Sequence, residues 1–299
     1  MGHANIVPLL ATWQQGHDGY ILLPCAQRNL KLFMKEVQAP GHNMEAVLWL
    51  LQQMKGLSDA IRLIHGISLI RTGYHHDIKP DNILLFAAHN GHYVFKIADF
   101  GCARMHQRTR KHDSEKTPSQ RGTVRYQSPD GDRNNGLSRP NDIWSIGCVF
   151  LELMDWFCVP LGSRYIDPEQ NPRQSKTTST SQKNTSQIVT DQFWETLPST
   201  SKESCQYRLR GWVTKAIEGL QHRYCAEVES FQHIIHMIKG CLQVDRESRF
   251  KAVELYGCMA EAEEQAASDF SGHRDVYVKK HADNCSREQQ LSARKIHME

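Results

Sequence analysis

The chain has 299 residues, of which 39% are hydrophobic and 23% charged, and its formal net charge at pH 7 is +3. These values are ordinary for a globular protein and lack the strong basic excess typical of proteins that bind nucleic acid or anionic membranes, so we expect neither partner. We expect an intracellular protein, cytoplasmic or nuclear, because no run approaches the roughly 18 apolar residues of a membrane span, the first residues do not resemble a signal peptide, and the nine cysteines show no paired spacing.

The first part of the chain predicts a hairpin followed by two helices. Apolar runs at residues 9–13 and 20–24 favour two paired strands. The stretch from Asn29 to Lys35 has the spacing of a short amphipathic helix. A longer helix is predicted from Asn43, a good N-cap, to His65-Gly66, because apolar residues recur there at helical spacing. This second helix is apolar on nearly all sides, so we expect it to be buried.

The middle and end of the chain predict one more hairpin and further helices. Residues 83–86 and 93–97 favour two strands joined by His89-Asn90-Gly91, a strong turn signal. Helical spacing of apolar residues then predicts helices at 141–154, 233–242 and 252–260. A helix-rich order with a few short hairpins, and without an alternating β-α repeat, indicates an α+β fold.

Two stretches differ from the rest in composition. Within a polar insert at about 157–209, residues 174–187 contain only Ser, Thr, Lys, Gln and Asn. Such a stretch cannot offset its ordering entropy by burial, which favours a surface loop, with a docking or phosphorylated insert as the alternative. The tail at 266–299 is polar and charged, and we assign it no function.

Two short motifs carry the chemical information. The first is His75-His76-Asp77-Ile78-Lys79-Pro80-Asp81-Asn82, and the second, farther along, is Asp99-Phe100-Gly101. Phosphoryl transfer requires an acid that accepts a hydroxyl proton, a lysine that steadies phosphate charge, and oxygen ligands for Mg²⁺. The two motifs together resemble the catalytic loop and the metal-binding Asp-Phe-Gly of the protein kinases.

The resemblance implies a role for each residue of the motifs. Asp77 corresponds to the base that orients and deprotonates the substrate hydroxyl, and Lys79 to the lysine that reaches the γ-phosphate. Asn82 and Asp99 correspond to the ligands of Mg²⁺. A lysine followed by proline resembles the serine/threonine kinases rather than the tyrosine kinases, and in that class Thr123 is expected to bridge Asp77 and Lys79. The implied substrates are Ser and Thr hydroxyls of proteins, and the implied cofactors are ATP and Mg²⁺.

Further motifs support the same resemblance. Residues 122–130, Gly-Thr-Val-Arg-Tyr-Gln-Ser-Pro-Asp, resemble the end of a kinase activation segment. Asp130 is then expected to pair with Arg249. Residues 142–147 resemble the central helix of the large lobe, in which Asp142 would hold the backbone of the catalytic loop.

The two histidines before Asp77 are expected to differ in role. His75 is expected to be a structural, stacked histidine rather than an acid-base group. His76 stands where the family most often has arginine, which receives a phosphate from the activation loop. Since histidine offers at most a weak, pH-dependent charge, phosphates at Thr109, Ser114, Thr117 or Ser119 are expected to matter less here.

The resemblance also implies a nucleotide site and a domain organisation. Leu22 is expected at the back of the site, the backbones of Leu23 and Cys25 facing adenine, and Leu84 beneath the base. The chain resembles a kinase domain from partway through its small lobe, without the glycine-rich loop, the strand lysine or its partner glutamate. The expected organisation is a kinase-like domain at 1–265, with a sheet remnant of the small lobe at 1–25 and a mostly helical large lobe at 26–265.

Three functional hypotheses remain open from the sequence. The first is a serine/threonine kinase whose activity is impaired in this chain, since the upper contacts to the nucleotide are missing. The second is an inactive kinase-like scaffold, with a possible partner on the exposed small-lobe remnant. The third is a small-molecule phosphotransferase, which residues 122–130 and 142–147 disfavour because a platform for peptide substrates is not expected there.

Overall fold

A computed structural model describes residues 2–41, 43–66, 71–88, 92–107, 122–131, 138–166, 191–197, 206–225 and 229–272. Helices and small antiparallel sheets are mixed along this part of the chain, which confirms the α+β prediction. The strands are β1 Ala11–Gln15, β2 Asp18–Leu22, β3 Arg28–Asn29, β4 Arg71–Tyr74, β5 Ile83–Ala87, β6 Tyr93–Ile97, β7 Arg104–Gln107, β8 Trp194–Thr196 and β9 Tyr207–Leu209. The helices are α1 Leu30–Glu36, α2 Met44–His65, α3 Arg139–Cys158, α4 Gly211–Tyr224, α5 Glu229–Cys241 and α6 Ala252–Gly272.

The hairpin β1–β2 forms close to where the apolar runs predict it. Its strands lie about two residues nearer the turn, where Gly16 adopts a positive φ of 64°. The rings of Trp13 and Tyr20 stack across the strands at a centroid distance of 5.1 Å. Every residue of both strands is exposed, and Ile21 is 69% exposed. The hairpin therefore presents apolar side chains on both faces.

Helices α1 and α2 each begin after an asparagine cap; the cap at Asn43 was predicted, whereas Asn29 was predicted to lie within its helix. The Asn29 side chain accepts a hydrogen bond from the Leu32 amide at 2.9 Å, and that of Asn43 accepts one from the Ala46 amide at 2.8 Å. These caps satisfy amide groups that the first helical turn leaves without an internal acceptor. Most of α2 is buried, as predicted, although Leu63 is 41% exposed, so burial is not complete on every side.

A sheet in the order β3-β5-β6 lies beside the candidate site. Strands β5 and β6 pair as predicted, while the turn at 89–91 lies outside the described residues. The N-terminal segment joins β6, because the Val7 amide donates to the Ile97 carbonyl at 2.9 Å and the Ile97 amide donates to the Asn5 carbonyl at 2.8 Å. The Asn5 side-chain amide adds a bond of 2.8 Å to the Phe95 carbonyl.

Helix α3 forms the centre of the core. It starts before the predicted residue 141 and continues past 154, and its large side chains, among them Trp144, Phe150 and Phe157, are almost entirely buried. Helices α4 and α5 pack against it. Helix α4 follows the predicted insert, and its buried Val213, Ala216, Ile217 and Leu220 recur at helical spacing.

Parts of the predicted insert and tail belong to the packed structure. Phe193 and Trp194 are buried, and β8 pairs with β9, whereas the Ser/Thr-rich residues 174–187 lie outside the described residues. Helix α6 crosses the predicted boundary at 265/266, and Ala266 is fully buried. The predicted tail boundary thus falls inside a helix.

Helix α6 packs against α2, far away in the sequence. The Lys55 ammonium lies 2.6 Å from the Glu263 carboxylate, and the Arg62 guanidinium lies over the Tyr256 ring at 5.0 Å. Among the helices that the structure describes, none is long and apolar enough to cross a membrane.

Candidate active site

The loop that follows β4 contains residues 75–79, and its backbone is held by the side chain of Asp142, in the first turn of α3. Its Oδ1 accepts the His76 amide and its Oδ2 accepts the His75 amide, both at 2.8 Å. The Nε2 atom of His65, the last residue of α2, lies 2.9 Å from Oδ2. Burial alone would raise the pKa of Asp142, but its contacts with His65 and His75 outweigh burial and hold the pKa below its usual value. This charged anchor fixes the loop backbone, as the resemblance implies.

The two histidines of the loop occupy different environments. The His75 Nδ1 accepts the Asp77 amide at 3.3 Å, so the ring proton is on Nε2, which donates to the Ala98 carbonyl at 3.0 Å. The rings of His75 and Phe100 pack edge to face with their centroids 4.8 Å apart, so His75 joins this loop to the Asp-Phe-Gly segment. The His76 ring is buried and packs against the Tyr74 ring, with the two ring centroids 4.1 Å apart. The His76 backbone has a positive φ of 70°.

Asp77, Lys79 and Thr123 form one hydrogen-bonded cluster. The Thr123 amide and hydroxyl donate to the Asp77 Oδ1 at 2.8 and 3.0 Å. The Lys79 ammonium lies 2.8 Å from the Asp77 Oδ2 and donates to the Thr123 hydroxyl at 2.6 Å. The bridge by Thr123 that the resemblance implies is thus present, although Thr123 lies far from the loop in sequence.

The cluster keeps the Asp77 carboxylate ionised. Burial alone would raise the pKa of Asp77, but hydrogen bonds from Lys79 and Thr123, together with the Lys79 charge, outweigh burial and lower the pKa. Asp77 is 9% exposed, so solvent screens these contacts little. A carboxylate in this state can accept a hydrogen bond, and then a proton, from a hydroxyl group.

Gly122 allows the Thr123 segment to approach the loop. Its φ of 94° is a conformation that glycine adopts without strain, and a Cβ atom there would lie 2.5 Å from the His76 carbonyl oxygen. The motif at 122–130 includes Gly122 but does not predict this contact, and His65 was predicted only as the end of a helix and not as a partner of Asp142. The positive φ is not visible in the sequence, and no motif marks a histidine at the end of α2.

Asn82 and Asp99 offer oxygen atoms suited to Mg²⁺. The Asn82 side-chain amide donates to the Asp77 carbonyl at 2.8 Å and to its Oδ2 at 2.9 Å, which turns the amide oxygen away from Asp77. The Asn82 carbonyl accepts the Ala98 amide at 2.9 Å, and this contact brings Asp99 close to the loop. Asp99 is exposed, has a φ of 61° and accepts the Gly101 amide at 3.2 Å.

The donor set of this pair fits magnesium better than a softer metal. One carboxylate and one amide oxygen are hard ligands, and Mg²⁺ is often held by few protein oxygens together with water and substrate phosphate. In the described part of the chain, no group of three His, Cys, Asp or Glu side chains is arranged to hold a metal ion. A protein-enclosed metal centre is therefore not seen among those residues.

The residues predicted to contact adenine lie along one continuous path. Leu22 ends β2, and Leu23 and Cys25 follow it in an exposed stretch that leads into β3. In β3, Asn29 pairs with Leu84, which is half-buried on β5. The contact of these four residues with a nucleotide stays a prediction.

Two ion pairs attach residues 122–130, the segment that contains Thr123, to the rest of the fold. Arg249 meets the Asp130 carboxylate with both terminal nitrogens, at 2.7 and 3.2 Å, and both side chains are almost fully buried. Arg125 donates to the Glu152 carboxylate at 2.9 and 3.2 Å. Burial alone would lower the pKa of Arg125, but the charge of Glu152 raises it, so the guanidinium stays charged. The Asp130–Arg249 pair is the one that the sequence predicts, while the second pair was not predicted.

Comparison with known proteins gives the same family as the geometry. The chain is 32% identical over 155 residues to mouse serine/threonine-protein kinase Nek5, covering 51% of this chain and 22% of that protein. It is 30% identical over 154 residues to cell division control protein 2 homolog 1 of Trypanosoma brucei brucei, covering 50% of this chain and 45% of that protein. It is 29% identical over 157 residues to mouse cyclin-dependent kinase 4, covering 50% of this chain and 46% of that protein. These matches span less than half the length of each relative. The protein kinase domain model matches residues 1–258, and the chain belongs to that family.

Proposed function

We propose that the site transfers the γ-phosphate of ATP to Ser or Thr hydroxyls of protein substrates. The observation that carries the proposal is the cluster in which Asp77 accepts hydrogen bonds from Thr123 and lies 2.8 Å from the Lys79 ammonium. Lys79, together with the relative named as a serine/threonine-protein kinase, favours Ser and Thr over Tyr as the acceptor.

In the proposed reaction, Asp77 orients the substrate hydroxyl and accepts its proton as the hydroxyl oxygen attacks the γ-phosphorus of ATP, while the bond from that phosphorus to the β,γ-bridging oxygen breaks and ADP leaves. Thr123 and Asn82 fix the carboxylate in place, and Lys79 is near enough to neutralise charge on the transferred group. Asn82 and Asp99 would hold Mg²⁺, which supplies charge neutralisation at the phosphates when bound. Leu22, Leu23, Cys25 and Leu84 would contact the adenine.

The test compares two Asp→Asn variants in the same loop. Asp77→Asn should lower turnover by roughly a hundredfold or more, because base and orientation are lost together. Asp81→Asn makes the same change in charge at an exposed side chain that pairs with Lys31 at 3.2 Å, so its turnover should remain within about threefold of wild type.

The assay uses Mg-ATP with dephosphorylated casein and histone, followed by identification of the phosphorylated amino acid. Phosphoserine and phosphothreonine are expected from the wild-type protein. Equal turnover by Asp77→Asn and wild type would remove Asp77 from the proposed role, and phosphotyrosine alone would contradict the acceptor class.

A second candidate function is a binding scaffold without catalysis, and the hairpin β1–β2 favours it. The side chains of Leu9, Trp13, Ile21 and Leu23 are 47–69% exposed, an arrangement typical of a surface that meets a partner. A scaffold would bind its partner equally well with Asp77→Asn, whereas substitution of Ile21 by Lys would weaken that binding.

A further inference from the structure

The start of β8 and the residues just before it contact the segment that carries Thr123. We name residues 191–197 and 206–209 the β8–β9 segment, and residues 122–127 the Thr123 segment. The indole Nε1 of Trp194 donates to the Gln127 carbonyl at 2.9 Å. The Nη1 atom of Arg125 donates to the Asp191 carbonyl at 3.0 Å. These two hydrogen bonds join the two segments at the first residue of β8 and just before it.

Aromatic packing reinforces this contact. Phe193 is fully buried, with its ring 6.2 Å from Tyr126 and 4.9 Å from Trp212. The Arg125 guanidinium lies 5.2 Å from the Phe193 ring and 5.7 Å from the Trp212 ring. The same guanidinium is paired with Glu152, so one side chain ties together α3, α4, the β8–β9 segment and the Thr123 segment.

The Thr123 segment has little internal structure to fix its position. It is a single turn in which the Tyr126 amide donates to the Thr123 carbonyl and the Gln127 amide donates to that of Val124. One turn closed by local bonds is stabilised chiefly by what packs against it. Its contacts with the β8–β9 segment therefore matter for where Thr123 meets Asp77.

We propose that the β8–β9 segment is a positioning element for the active site, with Trp194 and Arg125 as positioning residues that act on Asp77 through Thr123. The expected effect on turnover rests on the proposed function. The expected effect on the order of the Thr123 segment does not. Loss of the Trp194 hydrogen bond loosens the Thr123 segment, and a looser Thr123 orients the Asp77 carboxylate less well. Small errors of this kind in orientation lower rates strongly.

The chain offers a matched control for the test. Trp156 is also buried and also donates its indole proton to a backbone carbonyl, that of Val37, at 2.9 Å. Trp194→Phe and Trp156→Phe therefore remove the same kind of hydrogen bond and should cost similar global stability. They differ in whether the lost bond reaches the Thr123 segment.

Two measurements are made on the full chain and both variants. Trp194→Phe should raise amide hydrogen exchange in a peptide covering residues 122–127 by about fivefold, whereas Trp156→Phe leaves exchange there unchanged. At a temperature where all three proteins are folded, Trp194→Phe should lower kcat for casein by roughly three- to tenfold without changing KM for ATP. Arg125→Lys keeps the charge but not the fork that reaches Glu152 and Asp191, and it should act in the same direction.

The outcomes separate this proposal from the proposed function. Equal exchange in the two tryptophan variants, or a kcat loss shared equally by both, would overturn the positioning role. If the wild-type protein shows no turnover, the kinase proposal fails, and the exchange measurement alone decides whether the β8–β9 segment orders the Thr123 segment. If Trp194→Phe does not fold, the same two readouts are taken on Arg125→Lys.

Discussion

Thr123 stabilises the Asp77 carboxylate through two separate groups. Its amide and its hydroxyl both donate to Oδ1, and the hydroxyl also accepts from Lys79. Substitution of the side chain removes only the hydroxyl contribution, because the amide belongs to the backbone. The two contributions can therefore be measured apart.

Thr123→Val should lower kcat while leaving the fold intact, because valine keeps the shape and the amide but loses the hydroxyl. A hydrogen bond to a charged group contributes about 1.5–3 kcal/mol, which corresponds to a rate loss of roughly ten- to a hundredfold. Steady-state turnover with Mg-ATP and casein is the measurement. Thr123→Ser retains the hydroxyl and should remain near wild type; a serine variant as slow as the valine variant would contradict the assignment of the rate loss to the hydroxyl alone.

Between elements, the Asp130–Arg249 pair fixes the end of residues 122–130 that lies away from Thr123 to the loop before α6. The same guanidinium donates to the Pro140 and Gln243 carbonyls and lies 5.3 Å from the Trp144 ring. An arginine that makes this many contacts cannot readily move to solvent if its carboxylate is lost. The pair therefore behaves as a buried one, in which removal of one partner leaves a charge without compensation.

Asp130→Asn should lower the free energy of unfolding by about 3–5 kcal/mol, because Arg249 stays buried with its charge uncompensated. Glu36→Gln is the matched control: it breaks an exposed pair with Arg28 at 3.1 Å and should change stability by at most about 1 kcal/mol. Urea unfolding followed by tryptophan fluorescence measures both. Similar losses from the two variants would mean that burial does not set the energy of the Asp130 pair.

The sequence predicts some elements well because their signals are local. Helix α2 combines a cap, a long apolar repeat and a clear end, and the hairpin β5–β6 has two apolar strands on either side of a strong turn signal. Strands β3 and β4 are too short for a periodic signal, and they exist because β5 and β7 pair with them. Helix α4 did carry an apolar repeat, which the polar insert before it obscured.

The same distinction applies to the candidate site. Asp77, Lys79, Asn82 and Asp99 lie in compact motifs, so their neighbourhood could be predicted from spacing. The contact of Arg125 with Glu152, and that of Asp142 with His65, join residues on separate elements. No local pattern encodes such pairs, since the geometry arises only when the helices pack.

At the scale of the whole molecule, one buried carboxylate links stability to pH. Asp155, near the end of α3, accepts the Tyr165 amide at 3.0 Å and the Ile166 amide at 3.1 Å. Burial raises the pKa of Asp155 to about 6, from 3.8 in an unfolded chain, even though these hydrogen bonds oppose the shift. The folded state therefore binds the proton more tightly than the unfolded state.

The free energy of unfolding contributed by Asp155 should fall as pH rises from about 4 to about 6 and stay low above that. Asp155→Asn cannot titrate at this position. We define the gap as the free energy of unfolding of the wild type minus that of the variant, and it should be larger at pH 5 than at pH 7.5, by about 1 kcal/mol. Urea unfolding of both proteins at the two pH values measures this difference. A gap that is equal at the two values, or larger at pH 7.5, would contradict the raised pKa.

The packing of α6 on α2 sets an order of events during synthesis. Lys55 and Glu263 are 208 positions apart, so a ribosome must add nearly the whole domain before this contact can form. Until then, the α2 surface that α6 covers is open to water and to other chains. Contacts of such long sequence separation form late and slowly, which leaves incomplete chains prone to aggregate. This face of α2 is therefore shielded only once α6 has left the ribosomal tunnel.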